Sequence, residues 1–369
     1  MPDRKKQPQS LEASKPGVLM IGNHLPASSG NINVWHYLAE RLRRNGWQII
    51  TTSAKTNKAR RLLDMLFSVW RSRKNYSLAQ IDVFSGQAFI FAYLTGLLLL
   101  LIGKPFVLTL HGGGLPDFFQ KHPRLVRNLF SKATEIVTPS GYLQEAFGSI
   151  RSDIRLIPNP IDLSSAKFRL RDAPKPNLIW VRAFHAIYNT QMAIRTLKTL
   201  VSSGINAHLL MLGPDKGDGS LTDTLHLAKN LNVDQLVQIV GGVPHWQIPE
   251  WLDKADIFIN TTNYDTAPRS VLEAMANGLC VVSTNVGGIP FLVKDGIDCL
   301  LVEPNDHDGM ADAIRRILTE PQLAENLSAN AQKTTEDLDW SAILPQWEGL
   351  FLEIRSEEHT SELQSRQSI

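Results

Sequence analysis

The residue types best suited to chemistry are concentrated in the segment 260–290, NTTNYDTAPRSVLEAMANGLCVVSTNVGGIP. Asp265 and Glu273 are separated by seven residues, the first in a loop and the second on a helix that Pro268 opens. A proline at a helix start leaves neighbouring backbone N–H groups available to an anion, and Arg269 adds a positive charge. Glu273 can accept hydrogen bonds from vicinal hydroxyls such as those of a ribose. The segment therefore predicts a site for a phosphorylated ligand that carries hydroxyl groups.

Two further candidates end predicted strands elsewhere in the chain. Arg182 follows the run LIWV, where a guanidinium can bind a diphosphate through two parallel hydrogen bonds; a pair with a carboxylate at a domain interface is the alternative. His111 follows FVLTL and precedes three glycines, which keep the backbone thin beside a bulky ligand; a histidine that only caps its loop is the alternative. A hydrolase oxyanion loop would need a G-x-S-x-G turn downstream, and the chain has none.

The loop after the first predicted strand, GNHLPASSGNINV at 22–34, is a weaker candidate. Its small residues around Gly30 let backbone N–H groups approach a phosphate at the start of the following helix. A flexible turn in which Ser29 or Asn31 caps that helix explains the same residues equally well. We interpret His24, in the same loop, as an exposed histidine rather than a cleft residue.

These candidates lie where a repeated strand–helix pattern would place a ligand site. Short β-branched or apolar runs alternate with longer segments of helical period from Gly17 onward, and the alternation restarts after the Pro- and charge-rich stretch 158–176. The predicted strands are 18–21, 48–50, 81–84, 106–110, 135–138, 178–181, 208–212, 237–240, 257–260 and 280–284. The pattern predicts an α/β fold with two doubly wound parallel-sheet domains that face each other across a cleft. Such sheets bind ligands at the carboxyl ends of their strands.

Composition supports two folded domains and an anionic partner. The 369 residues are 43% apolar, enough for two hydrophobic cores, and 20% charged, which argues against disorder. The net charge of +2 hides an asymmetry, because residues 1–172 carry 24 Lys+Arg against 11 Asp+Glu and the remainder carry 14 against 25. A basic first half indicates a phosphorylated substrate or phospholipid head groups. We expect no nucleic-acid partner, since no nucleic-acid-binding motif accompanies the charge.

Cysteine usage and apolar patterning bear on metal sites and location. Cys280 and Cys299 are too few for a structural zinc site or a disulfide framework. The D-x-D strings at 306–308 and 337–339 fit helix caps, so we expect no bound metal. No secretory signal is visible at the N-terminus, and the apolar stretch 88–102 is too short to span a bilayer. We therefore expect a cytoplasmic protein, with a buried crossover helix at 88–102.

The segment 59–75, ARRLLDMLFSVWRSRKN, predicts an amphipathic helix. Its apolar residues share one broad face, and Arg60, Arg61 and Arg71 lie largely opposite. Such a helix can rest on an anionic membrane surface, which would make the protein peripheral on the inner face of the membrane. The alternative is a helix packed on the first sheet with a solvated basic face.

Motifs in a fixed order extend from residue 17 to about residue 354. They are the glycine loop after the first strand, LHG at 110–112, VTPSGYL at 137–143, IPNPIDL at 157–163, the position of Arg182, LEAMANG at 272–278, VGGIPFLVKDG at 286–296 and LLVEPND at 300–306. Together with the spacing of Asp265 and Glu273, an acid-x7-Glu motif, they resemble the family 4 retaining glycosyltransferases. That family has the two-domain GT-B fold, built from two Rossmann-like domains.

The resemblance implies a nucleotide-sugar donor, linked to UDP or GDP, that is bound mainly by the second domain. Arg182 would bind the diphosphate, Glu273 the ribose hydroxyls and Asp265 the transferred sugar. The backbone amides that assist the phosphates would be those of Arg269, Ser270 and Val271.

The first domain would complete the site. Gly30 would approach the diphosphate, and His111 would contact the sugar near the reacting centre. Transfer to a saccharide or lipid-linked acceptor would retain anomeric configuration without a metal or other cofactor, through an oxocarbenium-like transition state whose leaving diphosphate is neutralised by cationic side chains.

Two departures from the family leave other functions open. Family members usually carry Glu where this chain has Asp265, which is one methylene shorter. They also usually carry Lys a few residues after Arg182, where this chain reads IYN at 187–189. Either Arg269 compensates for the missing charge, or the chain is a catalytically degenerate GT-B protein that binds nucleotide or scaffolds a glycan-assembly complex. A GT-B sugar-nucleotide epimerase is a third, less favoured function.

The predicted domains follow from these patterns. Residues 17–165 form the acceptor-side domain, 166–338 the nucleotide-sugar-binding domain, and 339–354 a helix that returns toward the first domain. Residues 1–16 are basic, and we expect them to be disordered. Residues 355–369 begin RSEEHTSELQS, which matches one translated frame of a common sequencing adapter, so we expect an extraneous, or at least an unfolded, tail.

Overall fold

The computed structural model describes residues 15–22 and 34–367 and contains two α/β domains, each built on a six-stranded parallel sheet. The first domain comprises β1 (Gly17–Ile21), α1 (Val34–Arg44), β2 (Gln48–Thr52), α2 (Lys58–Arg71), β3 (Leu78–Val83), α3 (Gln87–Leu101), β4 (Phe106–Leu110), α4 (Leu115–Lys121), α5 (Pro123–Phe130), β5 (Glu135–Thr138), α6 (Gly141–Phe147) and β6 (Arg155–Leu156). The second comprises β7 (Asn177–Val181), α7 (Thr190–Ser202), β8 (His208–Leu212), α8 (Ser220–Asn230), β9 (Val237–Gly241), α9 (Ile248–Leu252), β10 (Ile257–Asn260), α10 (Arg269–Ala276), β11 (Cys280–Thr284), β12 (Leu300–Val302), α11 (His307–Thr319) and α12 (Pro321–Glu336), and α13 (Trp340–Gln367) follows.

The strand order confirms the predicted fold class. The first sheet has the order β2-β1-β3-β4-β5-β6 and the second β12-β11-β10-β7-β8-β9, with every ladder parallel. In each sheet the chain first moves toward one edge and then returns to the other side of its starting strand. The reversal opens a crevice between the carboxyl ends of β1 and β3, and another between those of β7 and β10, which are the points where doubly wound sheets bind ligands.

The last helix belongs to the first domain. Trp340, Trp347 and Phe351 of α13 are buried beside Trp35 of α1, against one face of the first sheet. Each fully buried side chain of this size contributes about 1.5–3 kcal/mol through removal of apolar surface from water. The core that packs α13 therefore ties the end of the described chain to its beginning.

The chain crosses between the domains twice at one place. The backbone N–H of Ile161 donates to the carbonyl of Leu338 at 2.9 Å, and that of Leu163 donates to Asp339 Oδ1 at 3.1 Å. Elsewhere along the seam, Ser140 Oγ donates to the carbonyl of Thr266 at 2.7 Å. These contacts hold the two sheets with their carboxyl edges on a shared cleft.

The expectation of an unfolded tail is wrong for residues 355–367, because α13 continues from Trp340 to Gln367. Packing nevertheless stops earlier: Ile354 is buried, whereas the described side chains from Arg355 onward are exposed. The extension is therefore a helix held by its own backbone hydrogen bonds rather than by a core. Of the predicted disordered N-terminus, residues 1–14 lie outside the described residues.

The two apolar helices of the first domain are only half buried. In α3, Phe89 and Leu99 are buried, but Leu101 is 83% exposed, so the expected buried crossover helix has one face in solvent. In α2, Met65 and Val69 are buried. The half-buried Leu62 and Leu66 share that side of the helix, but three large apolar side chains lie away from it and are exposed, contrary to the expectation of one broad apolar face: Leu63, Phe67 and Trp70. Within the described part of the chain, no helix is long and apolar enough to cross a membrane.

Candidate active site

The crevice of the second sheet brings Arg182 and Asp265 together. Arg182 directly follows β7, and its backbone N–H donates to the carbonyl of Leu212 at 2.9 Å, which extends the β7–β8 ladder by one residue. Asp265 lies in the loop after β10, and its carboxylate forms an ion pair with the guanidinium of Arg182. Both side chains are about five-sixths buried, with 16% and 15% of their surface exposed. The aromatic ring of Tyr188 lies 5.0 Å from the guanidinium carbon, on the far side of the pair.

Close backbone packing fixes the position of Asp265. Gly288 N–H donates to the Asp265 carbonyl at 2.8 Å, and a Cβ at Gly287 would lie 2.1 Å from the same oxygen. Gly287 also has φ +56°, a backbone angle that residues with a Cβ rarely adopt. The glycine pair after β11 is therefore required for the loop that carries the acid.

The start of α10 presents unpaired donors beside this pair. Pro268 precedes the helix and no side chain caps it; Val271 N–H donates to the Pro268 carbonyl at 3.1 Å, whereas the N–H groups of Arg269 and Ser270 have no acceptor among the described residues. The Ser270 hydroxyl is buried without a hydrogen-bond partner among the described residues. An anion bound here would satisfy these donors and gain from the helix dipole.

Glu273 closes the other end of the site. Its Oε1 lies 2.7 Å from His245 Nε2 and 2.8 Å from Arg269 Nε, so both contacts fall on one oxygen. Burial alone raises the pKa of this carboxyl, but the hydrogen bond from His245 and the charge of Arg269 outweigh it and hold the pKa below its usual value. Arg269 also lies 5.7 Å from the ring centroid of Tyr37 on α1, so this cluster reaches the first domain. An open pocket lies beside these side chains and is lined by His245, Arg269 and Glu273.

The first domain contributes His111 at the end of β4. Its ring lies between Trp35 and Phe84, with centroid distances of 4.9 Å and 5.1 Å, and its Nε2 is 3.3 Å from Asp82 Oδ1. Gln80 Nε2 donates to the same oxygen at 2.8 Å. The imidazole is thus held in one orientation by two aromatic rings and a buried carboxylate.

At one of the three glycines after His111, the missing side chain makes room for a contact within the protein rather than for a bulky ligand. A Cβ at Gly113 would lie 1.3 Å from Tyr264 Cε1, and the Tyr264 hydroxyl donates to the Gly113 carbonyl at 2.5 Å. Burial, with Tyr142 3.2 Å from the hydroxyl, raises the pKa of Tyr264, so the hydroxyl remains a donor. The residue before Asp265 therefore joins the two domains at the cleft.

Several sequence candidates stay apart from this cluster. Gly30 and His24 lie outside the described residues. Asp306 accepts a hydrogen bond from Gly309 N–H at 2.8 Å and Asp339 one from Ser341 N–H at 2.8 Å, so both D-x-D strings supply helix caps. Within the described ranges, no three His, Cys, Asp or Glu side chains are grouped so that they could hold a metal ion.

Residues 187–189, where the family that the sequence resembles usually has a lysine, make contacts within the protein instead. Tyr188 faces Arg182, and Asn189 caps α7 by accepting a hydrogen bond from Met192 N–H at 3.3 Å. Ile187 is partly exposed and adds no charge. Any cation that replaces the usual lysine must therefore come from another segment, and Arg269 is the nearest candidate along the helix that bears Glu273.

Reasoning from sequence missed three members of the site. Asp82 was hidden inside the predicted strand 81–84, although a carboxylate in an otherwise apolar strand was an available signal. His245 follows β9 by four residues, and its position after a strand end was the corresponding signal. Tyr264 directly precedes Asp265 but carried no motif of its own.

Two family models match the chain in succession: Glycosyltransferase Family 4 over residues 28–165, and Glycosyl transferases group 1 over residues 165–334. Glycogen synthase of Mycobacterium tuberculosis (strain CDC 1551 / Oshkosh) is 28% identical over 223 residues, which are 59% of this chain and 53% of that protein. The chain thus spans about half the length of the curated relatives that it matches.

Solved structures share the whole architecture. Sucrose-phosphate synthase from Thermosynechococcus elongatus superposes with a TM-score of 0.75 at 19% identity, over 93% of this chain and 100% of that one. HepE of Anabaena, in complex with UDP and glucose, superposes with a TM-score of 0.72 at 17% identity, over 92% of this chain and 100% of that one. At these identities the likeness shows the fold.

Proposed function

We propose that this chain, which belongs to the glycosyl transferases group 1 family, moves a sugar from a UDP- or GDP-linked donor to a hydroxyl of a saccharide or lipid-linked acceptor. The observation that carries the proposal is the pairing of Arg182 with Asp265 beside the uncapped start of α10. A positive side chain, helix N–H groups and a carboxylate meet there at a crevice where doubly wound sheets bind ligands.

We propose that the donor spans this arrangement from Arg182 to Glu273. Its diphosphate would take the Arg182 guanidinium from Asp265 and accept hydrogen bonds from the N–H groups at the start of α10. Glu273 would bind the ribose hydroxyls through Oε2, since His245 and Arg269 contact Oε1. Asp265, released from Arg182, would accept hydrogen bonds from the sugar.

The chemistry needs charge stabilisation at the leaving group. The bond from the anomeric carbon to the diphosphate oxygen breaks, the acceptor oxygen forms the new bond on the same face, and the acceptor proton leaves with the diphosphate. We expect retention of configuration and no metal, with Arg182, Arg269 and the helix N-terminus neutralising the leaving charge. Each positioned hydrogen-bond donor of this kind stabilises a transition state by about 2.7–4 kcal/mol.

The alternative function is a nucleotide-binding protein without turnover. It is favoured by the stretch 187–189, which supplies no cation, and by the ion pair that Arg182 already makes. If Arg269 does not replace the missing charge, donor binding would survive and transfer would not.

A second partner is proposed for the first domain, an anionic membrane surface bound through α2. Phe67 and Trp70 are more than half exposed, and Arg71 and Arg73 lie over their rings at 5.7 Å and 4.2 Å. Exposed aromatic side chains with cationic neighbours are suited to the boundary between lipid head groups and acyl chains. The protein would then act as a peripheral enzyme on the membrane where a lipid-linked acceptor resides.

A donor panel tests the main proposal. Purified protein is incubated with UDP- and GDP-sugars, and released nucleotide is measured with and without a membrane extract as acceptor source. We expect release with one donor class, and a loss of at least a hundredfold in Glu273→Ala. Glu320→Ala is the matched control, because Glu320 makes the same i,i+4 ion pair with Arg316 on an exposed helix.

The outcomes separate the two functions. Nucleotide binding without release for any donor would favour the non-catalytic alternative. Equal release by wild type and Glu273→Ala would contradict the assigned site.

A further inference from the structure

The crevice of the first sheet holds a second pocket, on the acceptor side of the cleft. It opens between the carboxyl ends of β1 and β3, next to Ile21, Gly22 and Asp82. Met65 of α2 and Phe91 and Ala92 of α3 form its walls, together with Phe84 after β3. The pocket thus occupies the ligand crevice of its sheet, as the donor site does in the other domain.

A half-satisfied carboxylate lines this pocket. Asp82 Oδ1 is used by Gln80 and His111, whereas Oδ2 is buried and has no hydrogen-bond partner among the described residues. Gly22 lies so close to Oδ2 that a Cβ there would be 2.1 Å away, but its N–H is already donated to the Thr52 carbonyl at 2.7 Å. A buried carboxylate oxygen without a donor is a strong acceptor for a ligand hydroxyl.

We propose that this pocket binds the acceptor, and that the acceptor is an amphiphilic alcohol whose hydroxyl donates to Asp82 Oδ2. The inference rests on the proposed function and names the acceptor class for it. His111 shares the carboxylate of Asp82, so the bound hydroxyl lies beside the side chain expected at the transferred sugar. The hydroxyl is thereby presented to the reacting centre.

The walls select an amphiphile over a free saccharide. A saccharide in this pocket would bury several hydroxyls against Met65, Phe84 and Phe91, where they would find no partners. An alkyl or isoprenoid portion instead buries apolar surface there.

The two helices beside the pocket also carry exposed apolar side chains and a positively charged side chain. Leu63 and Phe67 on α2 and Ile90 on α3 are exposed apolar side chains of the two helices that flank the pocket. Arg61, which also lines the pocket, is held by a hydrogen bond from its Nε to the Lys55 carbonyl at 2.7 Å. Arg61 therefore places a positive charge at the pocket for a phosphate on the ligand, whereas the exposed apolar side chains face away from Met65 and Ala92 on their helices.

Asp82 has an orienting role in this proposal. The acceptor oxygen bonds to the anomeric carbon while the bond from that carbon to the diphosphate breaks, and the hydroxyl proton departs with the diphosphate. Asp82 holds the hydroxyl in position on the face from which the diphosphate leaves, and it enters neither the bond changes nor the proton balance.

Binding of a simple amphiphile tests the pocket without turnover. The ligand is n-octyl β-D-glucopyranoside below its critical micelle concentration, compared with methyl β-D-glucopyranoside, and affinity is measured by titration calorimetry. Ala88→Trp fills the pocket from α3, and we expect at least tenfold weaker octyl glucoside binding. Leu101→Trp, at the exposed other end of the same helix and outside the pocket lining, is the matched control and should bind as wild type does.

A second variant addresses the hydroxyl contact. Asp82→Asn keeps the shape of the side chain, and we expect it to raise the KM for an octyl glycoside acceptor at least tenfold while the affinity for UDP and GDP stays unchanged. Equal octyl glucoside binding by wild type and Ala88→Trp, or equal binding of the methyl and octyl glucosides, would overturn the inference.

Nucleotide binding, measured on the same samples, separates this inference from the proposed function. Nucleotide binding without octyl glucoside binding would remove the acceptor pocket and leave the transferase proposal standing. Octyl glucoside binding without any nucleotide binding or release would overturn the transferase and leave the amphiphile pocket.

Discussion

Arg182 and Asp265 neutralise each other before a donor arrives, and this explains how two charges remain stable in a largely buried crevice. An unpaired charge at that depth would be strongly unfavourable, whereas a pair with satisfied geometry is tolerated. On the proposed function, the diphosphate of the donor would therefore exchange one anionic partner of Arg182 for another. Exchange of partners, rather than exposure of a bare guanidinium, is expected to prepare the site for the donor.

The lowered pKa of Glu273 gives a pH-dependent contribution to stability. Because its pKa in the folded protein lies below the usual 4.5, the carboxylate is stabilised by folding above that pH, and the contribution is lost as the pH falls through the folded-state pKa. We expect Glu273→Gln to reduce the free energy of unfolding by about 1.5–3 kcal/mol at pH 7, the range for hydrogen bonds to charged groups.

Urea unfolding of wild type and Glu273→Gln at several pH values measures this difference. It should stay constant from pH 7 to about pH 5 and shrink below 4.5. A difference that already disappears at pH 6 would contradict the assignment to Glu273.

Sequence predicted the second-domain acids and Arg182 because each stands at a strand end or a helix start with a recognisable neighbour. The partners of these residues come from far along the chain, and periodicity carries no information about such distances. His245 meets Glu273 across 28 positions, and Asp82 meets His111 across 29. Tertiary contacts of that kind follow from strand order, which the sequence pattern leaves open.

Among the elements, the loop after β4 and the loop after β10 join the two domains where Tyr264 packs on Gly113, a contact called here the latch contact. Gly113→Ala would force its Cβ into Tyr264, and we expect a loss of about 1–3 kcal/mol in the free energy of unfolding, the usual cost of overpacking. Gly349→Ala is the control, because no atom lies within 4 Å of its Cβ position and alanine favours a helix by about 0.5–1 kcal/mol.

Urea unfolding gives the stability change, and small-angle scattering of the two variants reports the separation of the domains. Gly113→Ala should have the larger radius of gyration. Equal stability of both variants would show that the latch contact is not needed.

The exposed face of α2 is the element that carries the membrane proposal. We expect replacement of Leu63, Phe67 and Trp70 by serine to weaken binding to vesicles of anionic phospholipid at least tenfold, because the apolar surface available to the interface is lost. Leu225→Ser, at a similarly exposed leucine on the second domain, should bind as wild type does.

Vesicle sedimentation at low and high salt measures this effect. If the wild type does not bind the vesicles at low salt, the proposed surface is excluded. It is also excluded if the triple variant binds as well as the wild type.

Strands were predicted where a run was long enough to show its pattern. The runs at 106–110, 135–138, 208–212, 257–260 and 280–284 coincide with β4, β5, β8, β10 and β11. The strands β6 and β12 were missed because two or three residues give no detectable periodicity. The exposure of one face of α3 was missed because an apolar run reads the same whether one face or the whole helix is buried.

At the scale of the whole molecule, α13 decides the stability of the first domain. We expect Trp347→Ala to reduce the free energy of unfolding by about 3–5 kcal/mol, since a fully buried aromatic ring is removed. Truncation after Arg355 should change the midpoint of thermal unfolding by less than about 1 °C, a shift below what a 1 kcal/mol change gives in a protein of this size.

Calorimetry of both variants tests this contrast. A large loss of stability on truncation would mean that the exposed extension of α13 has a packing partner.

Both connections between the domains pass through the contact of Ile161 with Leu338 and Asp339, and Lys15 Nζ lies 2.9 Å from Glu348 at the other end of the first domain. The second domain is thus an insert within the first. Tension applied between Lys15 and Arg355, as in an optical trap, would load the first domain alone. On the proposed function, the second domain would then continue to bind nucleotide until the first domain had unfolded.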